Sequence, residues 1–121
     1  MSVCLIAAGI VAATLPTADF TVEWQHSVQK TRWQERYRVD GTQLTLVRAS
    51  VESMGAGMEP PPEARLADGR WTWEPMRQFT ELRLARSSFA PDYVICWSEH
   101  CSTLSALTGE EEPSVIVLRS C

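Results

Sequence analysis

The sequence predicts an all-β fold: a single small antiparallel sandwich or barrel of about seven or eight short strands, preceded by an apolar, signal-like segment. Three observations predict it. Apolar and polar residues alternate with period two from Asp19 to Val39. Turn-forming Gly, Pro and Asp residues then separate a series of short apolar runs. No stretch sustains the 3.6-residue period of an amphipathic helix. A chain of 121 residues with 45% hydrophobic content is enough for one domain with one modest core. The expected organisation is a signal-like or anchor segment over residues 1–18 and a β-domain over residues 19–121.

Residues 1–18 carry no charged side chain, and Val3 to Leu15 is a nearly unbroken, Ala-rich apolar run. Such a run is short for a bilayer, where about 20 residues are needed. It suits the apolar core of a secretory signal, with cleavage after Ala13 in Val11-Ala12-Ala13. Only Met1 and Ser2 precede it, so the positive leader of a signal is missing; either the true start lies upstream or the signal is atypical. The alternative is a buried N-terminal strand. Cys4 lacks the small-residue pattern that precedes a lipid-attachment cysteine.

The stretch from Asp19 to Val39 reads as a β-hairpin. Phe20, Val22, Trp24, His26 and Val28 share one face of its first arm, and Trp33, Glu35, Tyr37 and Val39 one face of its second. The intervening positions are polar almost without exception. A four-residue loop from Gln29 to Arg32 would set Val28 opposite Trp33, His26 opposite Glu35, Trp24 opposite Tyr37 and Val22 opposite Val39. The two polar residues of the inner face would then be neighbours, with Cβ atoms roughly 5 Å apart. Arg32, Arg36 and Arg38 share the other face, as a solvated surface or an anion-binding stripe.

Asp40-Gly41 marks a turn before a strand from Thr42 to Val51, with Leu44 and Leu46 on one face. Ser53-Met54-Gly55-Ala56-Gly57-Met58 and Glu59-Pro60-Pro61-Pro62 follow. Two glycines around one alanine expose backbone amides that can cradle an anion, and the prolines stiffen the exit. A structural bend is the plainer reading, and the spacing is not that of a nucleotide-binding loop. Ala67-Asp68-Gly69-Arg70 is a second turn, followed by strands at Trp71 to Pro75, Phe79 to Arg86, Tyr93 to Trp97, Cys101 to Leu107 and Ser114 to Arg119. Five tryptophans at positions 24, 33, 71, 73 and 97 are expected mostly in the core; an aromatic-lined groove is the sharper alternative.

Net charge is −4 and only one of the eleven basic residues, Lys30, is a lysine. Without a basic cluster, nucleic acid is excluded as a partner, because phosphate neutralisation dominates that affinity. Cys96 and Cys101 enclose four residues and read as a local disulfide in an oxidising compartment. A zinc site from Cys96, His100 and Cys101 is the alternative, with poor ligand spacing. Cys121 is left over, free or paired with another chain. Ser27 follows His26 directly, but strand neighbours point to opposite faces, so the two make no catalytic dyad. No GxSxG, HExxH or phosphate-binding loop is present.

His26-Ser27-Val28-Gln29-Lys30-Thr31, then Glu35, then Gly55-Ala56-Gly57-Met58 resembles the bacterial family catalogued as domain of unknown function 1850. The resemblance spans roughly Phe20 to Leu84, and the combination of motifs is more specific than either alone. It implies a small exported protein encoded near TRAP transporters of the TAXI type, hence a periplasmic accessory to solute uptake. It implies no demonstrated activity.

The expected function is a non-enzymatic periplasmic accessory or ligand-binding domain associated with TAXI-type TRAP uptake. Its ligand-binding residues would be His26, Ser27, Lys30, Glu35, Gly55, Gly57 and Met58, with no catalytic residue, metal or cofactor. A TRAP transporter component or a small carboxylate-type solute would be the partner. Localisation would be periplasmic or exported, with membrane attachment only through an uncleaved N-terminal segment. The alternatives are a small periplasmic enzyme using His26 and Glu35 for proton transfer, and a purely structural interaction module.

Overall fold

The computed structural model describes residues 1–25, 31–52, 60–88, 90–109 and 115–121. Two open antiparallel sheets face each other across one core. The smaller is built from β1 (Val3–Ala7), β2 (Ile10–Leu15), β9 (Leu82–Ala85) and β12 (Val115–Ser120), in the order β2-β1-β12-β9. The larger contains β3 (Asp19–Gln25), β4 (Arg32–Asp40), β5 (Gln43–Val51), β6 (Arg65–Ala67), β7 (Arg70–Trp73), β10 (Val94–Trp97) and β11 (His100–Thr103). Its order is β11-β10-β3-β4-β5-β7-β6, and β8 (Arg77–Phe79) also pairs with β5. A short helix, α1 (Leu104–Thr108), completes the described elements. The expected all-β sandwich is therefore the fold, with twelve strands among the described residues in place of about seven or eight.

The largest difference lies at the N-terminus. Residues expected to precede the domain form two strands of the smaller sheet: β1 is buried along its whole length between β2 and β12, and Val3 and Leu5 have no exposed surface. A central strand covered on both faces reads as a continuous apolar run. The apolar core of a signal has the same composition and length, so hydrophobicity could not tell the two apart. Ala8 and Gly9, both at positive φ (52° and 78°), make the two-residue hairpin turn that brings β2 back along β1. Cys4 bonds to Cys121, with Cα atoms 5.8 Å apart, so the leftover C-terminal cysteine has its partner at the other end of the chain. Ser2 Oγ donates to the Cys121 carbonyl at 2.7 Å beside this bond.

Sequence alternation places the core correctly in the central strands. Phe20 and Val22 of β3, Tyr37 and Val39 of β4, and Leu44 and Leu46 of β5 pack against Leu5, Leu84, Ile116 and Leu118 of the smaller sheet. The Asp68-Gly69 turn joins β6 to β7 with both residues at positive φ. The expected single strand from Phe79 to Arg86 is two strands. β8 pairs with β5 of the larger sheet and β9 with β12 of the smaller, so the chain changes sheets at Thr80-Glu81. The expected strand from Cys101 to Leu107 also divides. β11 stops at Thr103, whose Oγ1 accepts from Ala106 N–H (3.1 Å) and caps α1. Gly109, at φ 76°, closes the helix in the left-handed conformation. Leu104, fully buried, and Leu107, packed against the same cluster, tie α1 to the core.

The five tryptophans lie at the margin of the core, with Trp24 and Trp97 packed against it. All five are half-buried, and none is among the fully covered side chains.

Candidate functional site

The hairpin of β3 and β4 forms with the expected inner face but a different register. Phe20 lies opposite Tyr37, Val22 opposite Glu35, Trp24 opposite Trp33 and Gln25 opposite Arg32. Relative to expectation, each residue of β3 meets a partner four positions earlier on β4. An even displacement leaves every side chain on its original face, so period-two alternation cannot detect it. Ring pairing is what this register satisfies: Phe20 stacks on Tyr37 (centroids 5.3 Å, 14° between planes) and Trp24 on Trp33 (6.0 Å, 9°). Glu35 therefore has Val22, not His26, as its cross-strand neighbour on β3, and the shared rung expected for a His26–Glu35 pair is not formed.

Of the expected ligand-binding residues, Glu35 is described. His26, Ser27, Lys30, Gly55, Gly57 and Met58 lie outside the described residues. The residues flanking them, Gln25, Thr31 and Glu52, stand at the end of the larger sheet that carries Trp24 and Trp33. The Cys96–Cys101 disulfide is present, with Cα atoms 4.1 Å apart across a β10–β11 rung. Both thiols of the alternative zinc site are consumed in that bond.

Glu35 occupies an unusual position. Its neighbours across the sheet are Val22 on one side and Ala49 on the other; beyond them lie Ile95 and Trp73. Directly opposed residues share a face, and Val22, Ala49 and Ile95 are buried, so the carboxylate belongs to the core-facing side. Along β4 its same-face neighbours are Trp33 and Tyr37. Tyr37 Oη donates to Glu35 Oε1 at 2.8 Å. Burial raises the Glu35 pKa above its ordinary value, and the Tyr37 hydrogen bond offsets part of that rise. Burial, then the Glu35 charge and hydrogen bond, push the Tyr37 hydroxyl strongly upward. Tyr93 is also raised, first by burial and then by the charges of Glu35 and Asp92.

Aromatic rings form a continuous belt on this face. Trp33 meets Trp73 edge-on at 6.2 Å, Trp24 stacks on Trp33, and Trp24 meets Tyr93 at 6.0 Å. Trp33 Nε1 and Thr31 Oγ1 are buried without a hydrogen-bond partner among the described residues. A hollow of about 210 Å³ opens beside the belt between Trp24 and Tyr93, with Gln25, Arg86, Ser87 and Pro91 around it. Arg86 is nearly buried (6% exposed side chain); its Nη1 donates to Ser105 Oγ at 2.9 Å and stands 3.5 Å from Asp92 Oδ2. Asp92 in turn accepts from Ser105 N–H and Oγ and from its neighbour Tyr93 N–H, and so anchors α1 to the chain entering β10.

The outer face of the hairpin is different. Arg36 pairs with Asp19 (2.6 Å), Arg38 with Asp40 (3.1 Å) and Arg32 with Glu52 (3.5 Å). Each arginine of the stripe has an acidic partner in solvent, which is the solvated-surface arrangement and contributes little stability.

Sequence alternation places Glu35 on the inner face of β4 but does not reveal what surrounds it. Tyr37 was legible as its same-face neighbour two residues along the strand. Trp73, Tyr93 and the Arg86–Asp92–Ser105 network were not, because they arrive from strands whose pairing no local pattern specifies.

The fold and this site define a small, disulfide-bonded β-sandwich with a half-buried carboxylate set among aromatic rings. The family comparison is consistent with the motifs that flank it. The model of DUF1850, a domain of unknown function, matches residues 20–104, and the chain belongs to that family. No curated protein and no solved structure matches the chain significantly. The two disulfides fit an oxidising, exported environment. Among the described residues no helix is long and apolar enough to cross a membrane.

Proposed function

We propose that this domain is a non-enzymatic periplasmic accessory of TAXI-type TRAP solute uptake, binding a small ligand or a transporter component around Glu35. The observation that carries the reading is Glu35 itself. A carboxylate on the core-facing side of a sheet, flanked by Val22 and Ala49, is costly unless something uses it. A plain core would be built more simply from another aliphatic residue. The positions His26, Ser27, Lys30, Gly55, Gly57 and Met58, which lie outside the described residues, complete the proposed site; the nearest described residues in sequence, Gln25, Thr31 and Glu52, stand at the end of the sheet that carries Trp24 and Trp33.

Titration calorimetry of the full chain tests this, against small carboxylate solutes and against a TAXI-type binding protein, each with the wild type and with Glu35→Gln. Binding that disappears in Glu35→Gln while its melting temperature does not fall is the expected result. A variant that melts well below the wild type and binds nothing different would assign Glu35 to the structure alone.

A further inference from the structure

We infer that the aromatic belt around Glu35 receives the positively charged ammonium head of an organic ligand. This inference rests on the binding role proposed above and names the chemistry of that same site.

Three features of the described residues lead to it. First, the charge on the binding face is negative. Glu35 is the carboxylate on that face, and its hydrogen-bond donor is the neutral hydroxyl of Tyr37. A neutral donor leaves the negative charge uncompensated, and burial has already stripped part of its water. Second, the walls are aromatic. Trp24, Trp33, Trp73 and Tyr93 come from three strands and from the chain entering β10, yet make one unbroken series of ring contacts at 6.0–6.2 Å. All four are half-buried, so their surfaces are only partly used by the core. Ring faces carry negative potential and attract cations, and clustered aromatic rings hold alkylated ammonium groups. Third, the residues beside Glu35 are small. Ala49 separates it from Trp73 and Val22 separates it from Ile95. Neither carries a polar atom that competes for the carboxylate.

A compact anion suits this position poorly, because it would approach Glu35 as a like charge. A ligand that also carries a carboxylate would present its ammonium end here. The nearly buried Arg86 is already engaged with Ser105 and Asp92, so it does not neutralise Glu35 in the manner of a close ion pair.

The test uses tetramethylammonium chloride as the probe and follows the tryptophan indole N–H resonances of the full chain by NMR, with sodium chloride at equal ionic strength as control. The expected result is saturable shifts of the Trp24 and Trp33 indoles. The apparent affinity should weaken about tenfold in Glu35→Gln, and similarly in Trp33→Leu, the second variant guarding against a folding defect in the first. No saturable shift, or shifts unchanged in both variants, overturns the inference. Sodium acetate in place of the probe separates the two levels of the argument. Saturable acetate binding without tetramethylammonium binding overturns the cation assignment and leaves the binding role standing.

Discussion

Removing the Cys4–Cys121 bond should cost this domain more than removing Cys96–Cys101, and the structure supplies the magnitudes. The two bonds close loops of very different length, with sequence separations of 117 and 5. In the chain-entropy treatment these translate to about 5 kcal/mol and about 2 kcal/mol of stabilisation at 25 °C. A domain of this size holds only about 5–15 kcal/mol in total, so the first loss is a large share of it. With an unfolding entropy of about 2 cal/mol/K per residue, the expected drops in Tm are about 20 °C and about 8 °C. The assay is thermal and urea unfolding of Cys4→Ser/Cys121→Ser and of Cys96→Ser/Cys101→Ser, read by tryptophan fluorescence. Mass mapping of the oxidised wild type should recover the Cys4–Cys121 peptide pair. A Cys4→Ser/Cys121→Ser variant no less stable than Cys96→Ser/Cys101→Ser would refute the loop-closure reasoning. Recovery of Cys121 as a free thiol would refute the pairing itself.

Other predictions follow from individual side chains. Leu5→Ala should cost about 3 kcal/mol, because Leu5 is fully buried in a central strand; urea unfolding showing under about 1 kcal/mol would remove β1 from the core. Glu35→Gln should stabilise the fold at pH 7. Burial raises the folded-state pKa above its ordinary value of 4.5, so the wild type loses stability as pH rises through that raised value. The variant has no such titration, so its Tm advantage should shrink to nothing below about pH 4; an advantage that grows with acid would reverse the sign of the argument. Asp92→Ala should cost about 3 kcal/mol, since it removes the carboxylate beside the nearly buried Arg86 and leaves Ser105 N–H without its acceptor. Denaturant unfolding matching the wild type would show the network to be dispensable.

Several features were legible in the sequence because they depend on near neighbours. The inner and outer faces of β3, β4 and β5 follow from period-two alternation, which solvent on one side and a core on the other impose residue by residue. Asp68-Gly69 announces its hairpin turn, because few residue pairs accept two successive positive φ values. Cys96 and Cys101 announce their bond, because so short a segment brings its ends together at little entropic cost. The flanking motifs placed the chain in its family.

Tertiary structure alone decided the rest. The same apolar run from Val3 to Leu15 suits a signal core or a hairpin with one buried strand, and the pairing of β1 with β12 is long-range, so nothing local in the sequence specifies it. The register of β3 on β4 is invisible to alternation, since an even slip preserves both faces; ring stacking at Phe20–Tyr37 and Trp24–Trp33 accompanies the register formed. Cys121 finds Cys4 only after the first and last strands pair side by side. Glu35 could be named from the sequence, but its surroundings could not. Trp73 and Tyr93 reach it from distant parts of the chain, and long-range pairing is set by the total burial and hydrogen bonding of the assembled sheets, which no local pattern encodes.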